Sequence, residues 1–483
     1  MRRLSARGPG SATATCSPRG EKSSIEPVRT TPRAKQTPDD SATPYPRNGC
    51  TTSSPGCWFS AGWRMRGHML ELRNAPIVAT ILALWLGVAC VAPAAAAETF
   101  TVAFRVTLEP ARHGASVTLA VDHGELLKRL DFANADGLIS AIEGNGSVTE
   151  HDGRVYWVPP KGPATLSWFV PITHERSPGR FDAIINEEWA LFRGDDVVPA
   201  MNTGEAEGTY SVTTLELVLP EGWKTARTGW PRQAGTTFRI DNPERRFDRP
   251  TGWMIAGRVG TRSTVRAGTS ITVAAPMGQH FRRMEVLTFL RFVWREVREA
   301  FERTPPRLLV VGAADPLWRG GLSASNSVFL HAERPLVSEN GTSPLLHELI
   351  HLVTRLSGVV TATTNDDWIA EGLAEYYSFE LLYRAHGISK SRRDKILQWL
   401  SDWSTDVGHL RQGRSSGPIT ARAVVLLEQL DQEIRRRSGD KHSLDDVTRR
   451  LMAIRTVSLA DLRRVTADLI GNDITTLDSA VLR

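Results

Sequence analysis

The chain has 483 residues and a formal net charge of +6, from 59 Lys and Arg against 53 Asp and Glu. Residues 1–97 carry this excess, with 12 basic and 5 acidic residues, and leave 47 basic and 48 acidic residues in the remainder. The basic balance belongs to the N-terminal segment and therefore predicts no nucleic-acid partner, while the length allows two or three domains.

Residues 1–64 are rich in Ser, Thr, Pro, Gly and Arg and have neither a helical nor a strand period. This composition predicts a disordered extension, or translated sequence upstream of a true start at Met65 or Met69.

Residues 65–97 are typical of a signal peptide. An apolar run from Ala75 to Val91 follows a short basic segment, and a series of small residues ends at Ala97, the predicted cleavage point. A membrane anchor is the alternative, since about 17 apolar residues is near the lower limit for a span. A lipoprotein attached through Cys90 is a weaker alternative. We expect a periplasmic or secreted protein with no membrane span in the mature chain.

All the cysteines precede the predicted cleavage point, at Cys16, Cys50, Cys57 and Cys90. The mature protein would therefore have neither a disulfide nor a thiolate zinc site.

Residues 98–275 have apolar side chains mostly at every second position, which is the period of half-buried strands. The pattern predicts an N-terminal β-sandwich without a cluster of catalytic type, and carbohydrate binding by this region would rest on fold analogy alone. Strands are predicted at Thr99–Leu108, Ala115–Val121, Arg154–Val158, Ala164–Val170, Tyr210–Leu219 and Ser270–Ala274.

Residues 276–388 are predicted to form a thermolysin-like zincin catalytic domain. The apolar pattern becomes helical, and Gln279–Arg303 has the pattern of a long amphipathic helix that two prolines stop. A buried strand at Arg307–Gly312 and an extended edge segment at Gly320–Leu330 follow. Residues 389–483 are predicted to be a helical C-terminal region, so the chain as a whole is expected to be a multidomain α+β protein.

His347, Glu348 and His351 form a His-Glu-x-x-His pattern inside an apolar stretch. Positions four apart share one face of a helix, so the two imidazoles can bind one ion, and zinc (Zn²⁺) takes such ligands readily. Glu348 would lie beside the ion, where a carboxylate can accept a proton from a water on the metal. The alternative is a buried helix with two hydrogen-bonded histidines.

A second segment, Trp368–Tyr377, follows one short loop downstream. Glu371 in this segment is suited to be the third protein ligand of a zincin. Glu375 is one helical turn further on, where it can accept the free N–H of a ligand histidine and fix its tautomer. The alternative is an amphipathic helix with two solvent-exposed carboxylates, but apolar and aromatic neighbours make unpaired charge costly there.

These segments resemble the glycyl aminopeptidase-like family of gluzincin metallopeptidases. Trp368–Tyr377 is similar to that family's Trp-x-x-Glu-Gly-x-x-x-Tyr-Tyr segment, and Leu427–Leu451 to its helical tail. The resemblance covers most of the mature chain. It implies that His347, His351 and Glu371 bind zinc, with Glu348 as general base and acid.

Two departures from the family pattern concern the substrate. The family has a Gly-Gly-Leu-Glu-His segment whose Glu is expected to hold the substrate amino group, and Ser323 stands at that place here. A family Tyr that would hydrogen-bond the transition-state oxyanion is absent from Ile419–Ala423. Losing one such donor can cost about 10²–10³ in rate. Residues that could replace it are Tyr376, Tyr383, His409 and Arg422.

The sequence therefore predicts an exported zinc metallopeptidase that hydrolyses peptides or proteins, with the exopeptidase or endopeptidase mode left open. The backbone of Gly320, Gly321 and Leu322 is predicted to bind the substrate as an added strand. One alternative is a zinc-binding protein with weak or lost catalysis that serves as a peptide-binding or scaffold protein. Another is an aminopeptidase that holds the amino terminus with Glu333 or Glu375.

Overall fold

The computed structural model describes residues 98–242, 245 and 247–483, which belong to one compact unit. The predicted extension at residues 1–64 and the predicted signal peptide at 65–97, with cleavage after Ala97, lie outside the described residues. Within the described part, no helix has both the length and the apolar character needed to cross a membrane.

The described residues form a mixed α+β structure, as expected. Strands β1 to β12 are Thr99–Glu109, Gly114–Val121, Leu127–Ala133, Ser140–Gly144, Ser147–His151, Arg154–Val158, Ala164–Pro171, His174–Ser177, Arg180–Ile185, Trp189–Arg193, Met201–Glu205 and Tyr210–Val218. Strands β13 to β23 are Thr225–Thr228, Arg232–Ala234, Thr237–Ile240, Trp253–Gly257, Val259–Arg266, Thr269–Pro276, Arg307–Ala313, Gly321–Ala324, Ser327–His331, Ser357–Gly358 and Thr456–Val457. Helices α1 to α8 are Gly194–Val197, Arg283–Phe301, Pro344–Thr354, Trp368–Arg384, Lys390–Trp403, Pro418–Ser438, Leu444–Ile454 and Leu459–Ile470.

Three sheets occupy the first part of the described chain. Their strand orders are β14-β15-β12-β1-β2-β7-β4, β11-β3-β6-β5 and β13-β16-β10-β9-β8. The period of two explains them, because Phe100, Val102 and Phe104 of β1 face the core while Thr99 and Thr101 are exposed. Each of the six strands predicted from this period overlaps an observed strand.

A further sheet has the order β17-β18-β19-β21-β20 and carries the elements around residue 320. Strand β17 and all of β18 except its last residue lie before residue 276, and β18 pairs in parallel with β19. The sheet therefore extends across residue 275, where the sequence pattern places a domain boundary.

Helix α2 begins at Arg283, four residues after the predicted start. His280 has a positive φ of 53°, which interrupts a helix at this point. The side chain of Gln279 accepts a hydrogen bond from Ala314 N at 3.0 Å instead of lying in the helix. Helix α2 ends at Phe301, ahead of the two prolines at 305 and 306.

Buried ion pairs join helices α4, α5, α6 and α7. Arg384 contacts Glu380 Oε1 at 3.0 Å and Asp445 Oδ2 at 2.6 Å. Arg393 contacts Glu380 Oε2 at 2.5 Å and Glu428 Oε2 at 2.6 Å. Because each buried charge has opposite partners, the bundle can hold these carboxylates beside its apolar core. This arrangement fixes α4, which carries Glu371 and Glu375.

Candidate metal centre

Helix α3 presents two imidazoles on one face. Ser343 begins the helix, since its side chain accepts a hydrogen bond from Leu346 N at 3.2 Å, and Pro344 occupies the first turn. Leu345, Leu346, Leu349 and Ile350 are buried, which directs the opposite face toward α4. His347 Nε2 and His351 Nε2 lie 3.2 Å apart on that face.

Glu371 on α4 completes a three-residue cluster. Its Oε2 lies 3.4 Å from His347 Nε2, and its Oε1 lies 3.4 Å from His351 Nε2. One ligand atom from each of the three residues lies within 4.8 Å of the others. Ligand atoms about 2.0–2.1 Å from a tetrahedral zinc lie about 3.3–3.4 Å from one another. The donor types and the spacing therefore fit a zinc ion.

Glu375 fixes the orientation of one imidazole. Its Oε2 lies 2.9 Å from His347 Nδ1, which leaves Nε2 directed at Glu371. Burial disfavours an imidazolium at His347, but the hydrogen bonds with Glu371 and Glu375 outweigh it and raise the pKa of His347 to about 10. Burial likewise acts against ionised Glu371, yet the two histidines hold its pKa well below the usual range. Glu371 and Glu375 therefore stabilise positive charge at the His347 imidazole.

The side chain of Glu348 extends from α3 to strand β20. Its Oε2 accepts a hydrogen bond from Ser323 N at 2.7 Å. A Cβ at Gly321 would lie 3.0 Å from Glu348 Cγ, so a glycine gives the carboxylate its room. The strand and the helix thus hold the Glu348 carboxylate from two sides.

Strand β20 is the edge strand of its sheet and leaves one side open. In an antiparallel pair, the backbone groups of alternate residues point to opposite sides. Gly320 O accepts a hydrogen bond from His331 N at 2.9 Å, so Gly320 and Leu322 direct their groups toward β21. Gly321 and Ser323 therefore direct theirs to the open edge, in agreement with the hydrogen bond from Ser323 N to Glu348.

A cavity of about 330 Å³ opens on the His347 side of the cluster. Its lining includes His347, Glu371, Glu375, Trp399, Trp403, Ser415, Ser416 and Thr420. Ser415 is 6% exposed, and its Oγ makes no hydrogen bond with any described residue. The two tryptophans are 41% and 47% exposed with ring centroids 5.0 Å apart, so an aromatic surface borders the cavity.

The four residues considered as replacements for the family tyrosine do not line this cavity. Tyr376 is fully buried, and its hydroxyl has no hydrogen-bond partner among the described residues; His409 Nδ1 lies 3.2 Å from Arg483 O. Tyr383 and Arg422 are half-buried elsewhere. The sequence analysis missed Ser415 and Thr420, because Ser and Thr near a helix start ordinarily indicate only a loop or a cap.

A second cavity of about 560 Å³ opens on the His351 side. Its described lining residues include His351, the hairpin residues Ser323, Ala324, Ser325 and Asn326, and four arginines, Arg245, Arg303, Arg355 and Arg455. The arginines are far apart in sequence, so no local motif could indicate this cluster.

No protein-family model matches the chain, and no curated protein sequence matches it. Solved structures do. The aminopeptidase N family protein from Idiomarina loihiensis aligns with a TM-score of 0.57 at 18% identity, over 77% of this chain and 72% of that protein. The M1 zinc metallopeptidase from Deinococcus radiodurans aligns with a TM-score of 0.50 at 17% identity, over 80% of this chain and 93% of that enzyme. A mutant of the same enzyme bound to a Tyr-Ser-Ala substrate gives the same score and identity, with 94% of that chain covered. At this identity the likeness concerns the fold: the chain has the fold of aminopeptidase N and the M1 zinc metallopeptidases, which confirms at that level the resemblance to gluzincin aminopeptidases.

Proposed function

We propose that this chain is a zinc-dependent metallopeptidase that hydrolyses peptide bonds. The observation that carries the proposal is the cluster of His347 Nε2, His351 Nε2 and the Glu371 carboxylate. The two nitrogens lie 3.2 Å apart, and each lies 3.4 Å from a different oxygen of Glu371, which is the range of distances between neighbouring ligand atoms of a tetrahedral zinc site. His347, His351 and Glu371 are the ligands in this proposal. Glu375 orients His347 through Nδ1.

Glu348 is the general base and acid of the proposed reaction. A bound Zn²⁺ supplies Lewis acidity, which brings the pKa of a coordinated water toward neutrality. The Oε2 of Glu348 is held by Ser323 N, so Oε1 is the oxygen that takes the proton from the attacking water. The same carboxyl then delivers the proton to the leaving amine, so that Glu348 acts first as the general base and then as the general acid.

The substrate is proposed to lie along the open edge of β20. In the segment Gly320–Leu322 named from the sequence, the groups facing that edge are those of Gly321, and the carbonyl of Ser323 extends the row. An extended peptide can pair with these groups as an additional strand. The solved M1 enzyme with a Tyr-Ser-Ala substrate supports a peptide as the ligand class.

Ser415 and Thr420 are proposed to replace the tyrosine that the family pattern expects. Both line the cavity beside His347 and Glu371, and Ser415 Oγ has no other partner among the described residues. A hydroxyl that donates to the developing oxyanion lowers the barrier because the bond strengthens in the transition state. A buried hydroxyl without a partner is otherwise costly, which favours a role with a bound substrate.

The organisation of the protein is proposed to follow the M1 fold: an N-terminal β-sandwich, a thermolysin-like zincin core and a helical C-terminal region at 389–483. Strands β17 and β18 support placing the start of the core near residue 258 rather than at 276. Export to the periplasm or beyond is proposed from the signal-peptide pattern of residues 65–97. Ser323, in place of an acidic residue, supports an endopeptidase over an aminopeptidase.

The test is metal content together with cleavage of a mixed peptide library by the purified protein. Glu348→Gln should retain zinc and lose hydrolysis, because the amide cannot accept the proton. His347→Ala should lose the metal. Turnover in Glu348→Gln equal to that of the wild type would remove the proposed role of Glu348.

A zinc-binding protein with lost catalysis, serving as a peptide-binding or scaffold protein, is the second candidate. It is favoured by one observation: the described residues that line the His347-side cavity include no tyrosine. This candidate would be supported over the peptidase if the protein bound peptides without cleaving them, and if a chelator changed neither result.

A further inference from the structure

Two exposed tryptophans lie together at the His347-side cavity. Eleven tryptophans belong to the described residues, and nine of them are buried or half-buried. The other two, Trp399 and Trp403, are 41% and 47% exposed, and both line the cavity of about 330 Å³. We call these two residues the tryptophan pair. Large aromatic side chains are mostly buried in proteins, and a contiguous exposed apolar surface indicates a binding site more often than single exposed residues do.

Helix α5 and the start of α6 hold the tryptophan pair in place. Ile396 and Leu400, each three residues before one of the tryptophans, are buried and pack α5 on the core. The ring centroids of the pair lie 5.0 Å apart, with 32° between the ring planes. The Trp403 ring also lies close to α6, since a Cβ at Gly417 would be 3.7 Å from two of its carbons. These contacts restrict the rings, so that they form a preformed aromatic surface.

The cavity connects the tryptophan pair with the proposed reaction centre. His347 and Glu371, two of the proposed zinc ligands, line it together with the pair. Ser415 and Thr420, the proposed oxyanion donors, line it as well. A peptide whose scissile carbonyl lies at these groups can therefore place a neighbouring side chain in the cavity. Its volume of about 330 Å³ is at the lower end for ligand pockets, which suits a single side chain.

The described lining favours an uncharged side chain. It includes no lysine or arginine that could bind an acidic group. Its two carboxylates, Glu371 and Glu375, are both engaged with His347, at 3.4 and 2.9 Å. The exposed ring faces are what remains to receive a ligand. Contacts between aromatic rings add about two- to tenfold in affinity beyond the effect of the buried area, so an aromatic side chain fits this surface better than an aliphatic one.

We propose that the tryptophan pair binds an aromatic side chain of the substrate, so that the enzyme cleaves peptide bonds next to Phe, Tyr or Trp. This inference rests on the proposed peptidase function and names its substrate class. The aromatic residue is one of the two that flank the scissile bond, because the same cavity holds the groups proposed to bind zinc and the oxyanion. Its ring packs on the pair in an offset-stacked or edge-to-face arrangement.

The test compares peptides that differ in one side chain. Blocked peptides (N-acetylated and C-amidated) carry Phe, Leu, Ala, Lys or Glu at one of the two positions flanking the cleaved bond, and kcat/KM is measured with the zinc-loaded full chain. At the position that occupies the cavity, Phe should exceed Leu by about two- to tenfold and Ala by about tenfold to a hundredfold. A preference for Leu, Lys or Glu over Phe, or no preference at either position, overturns the proposal.

Variants assign the selectivity to the tryptophan pair. Trp399→Ala and Trp403→Ala should bring the Phe/Leu ratio of kcat/KM toward one, while Trp399→Phe should keep most of it. Phe292→Ala is the matched control, because Phe292 is 49% exposed, lies on another helix, α2, and does not line the cavity. Zinc content and thermal unfolding verify that each variant is folded. An unchanged ratio in folded Trp399→Ala and Trp403→Ala contradicts the inference.

A second copy of the chain is the other occupant that an exposed aromatic pair could have. Light scattering of the wild type and of Trp399→Ala distinguishes the two. We expect the same oligomeric state in both proteins. A wild-type dimer that dissociates in Trp399→Ala, with the Phe/Leu ratio unchanged, would replace the substrate by a partner subunit.

A binding measurement separates the failure of this inference from the failure of the proposed function. Calorimetry with zinc-loaded Glu348→Gln should show tighter binding of the Phe peptide than of the Ala peptide, and the added Trp399→Ala change should reduce the difference. Cleavage of all peptides without a preference for Phe would overturn the aromatic site and leave the peptidase. Preferential binding of Phe peptides that the zinc-loaded wild type never cleaves would overturn the peptidase and leave the aromatic site.

Discussion

Gly372 on α4 lies against Ala423 on α6 so closely that a Cβ at residue 372 would be 2.8 Å from the Ala423 Cβ. The Leu427 Cδ1 atom would be 2.9 Å away from the same position. Glu371 is the residue directly before Gly372. The close packing of α4 on α6 therefore fixes the distance between the Glu371 carboxylate and the two imidazoles.

Gly372→Ala should therefore destabilise the protein and weaken zinc binding. Alanine favours a helix by about 1 kcal/mol over glycine, but overpacking a tight contact costs about 1–3 kcal/mol. Ala423→Gly in the same chain should recover part of the loss, because it removes one of the two clashing groups. Denaturant unfolding and zinc titration measure both effects. A more stable single variant would show that α4 and α6 can separate freely.

Glu375→Gln should weaken zinc binding by about 10–100-fold, the usual effect of removing a carboxylate that orients a ligand histidine. The amide can still receive a hydrogen bond from His347 Nδ1, but it lacks the charge that raises ligand basicity. Competition with a chromogenic chelator measures the change. Glu333→Gln is the control, because Glu333 is an exposed carboxylate that does not touch the cluster.

Ser415→Ala and Thr420→Val should each lower kcat without removing zinc. Loss of an oxyanion donor reduces the rate by about 10²–10³-fold, and the residue that makes the stronger bond should show the larger effect. Tyr383→Phe and His409→Ala serve as controls, because neither residue lines the His347-side cavity. An unchanged kcat in both Ser415→Ala and Thr420→Val would mean that another group donates the hydrogen bond to the oxyanion.

Glu433 provides a pH-dependent prediction outside the site. Its carboxylate accepts hydrogen bonds from Thr475 N and Oγ1 at 3.0 Å and from Thr476 N at 2.9 Å. Burial would raise its pKa, but these hydrogen bonds outweigh burial and lower the pKa of Glu433 from 4.5 to about 2. Because the folded-state pKa is depressed, the stabilisation is complete above pH 4.5 and is lost as the pH falls toward 2.

Glu433→Gln should accordingly lower the free energy of unfolding at pH 7 by an amount of the order of 2 kcal/mol. The difference from the wild type should shrink below pH 4.5, as measured by denaturant titrations between pH 3 and pH 7. Glu221→Gln is the control, since Glu221 is exposed. A difference that stays constant with pH would mean that the charge of Glu433 is not what stabilises the segment at Thr475.

The common face of the two histidines could be predicted from sequence because it depends on short-range periodicity, whereas Glu371 is predicted from the zincin pattern of a third ligand on the next helix. The four-residue spacing of His347 and His351 determines their common face on any helix. Glu371 and Glu375 are likewise one turn apart on the next helix. The period of two predicted six of the eighteen strands β1 to β18 for the same reason. The exported location and the residue roles remain predictions.

The surroundings of the cluster could not be predicted, because they depend on long-range pairing. Arg355 and Arg455 are 100 positions apart in sequence but line the same cavity, beside the two-residue pairing of β22 with β23. Ser415 reaches the cavity from the connection between α5 and α6, which has no apolar period. Thr420, one of the two proposed replacements for the family tyrosine, lies next to Ile419, but the local sequence does not indicate that its side chain lines the cavity.

The sheet that crosses residue 275 has a practical consequence for dissecting this protein. A recombinant piece starting at residue 276 would lack β17 and β18, and β19 would lose its parallel neighbour along Ile271–Ala274. The unpaired backbone N–H and C=O groups of β19 would then pair with strands of other molecules and cause precipitation. A fragment that contains the proposed metal site should therefore begin in the short connection between Gly257 and Val259, where one sheet ends and the next begins.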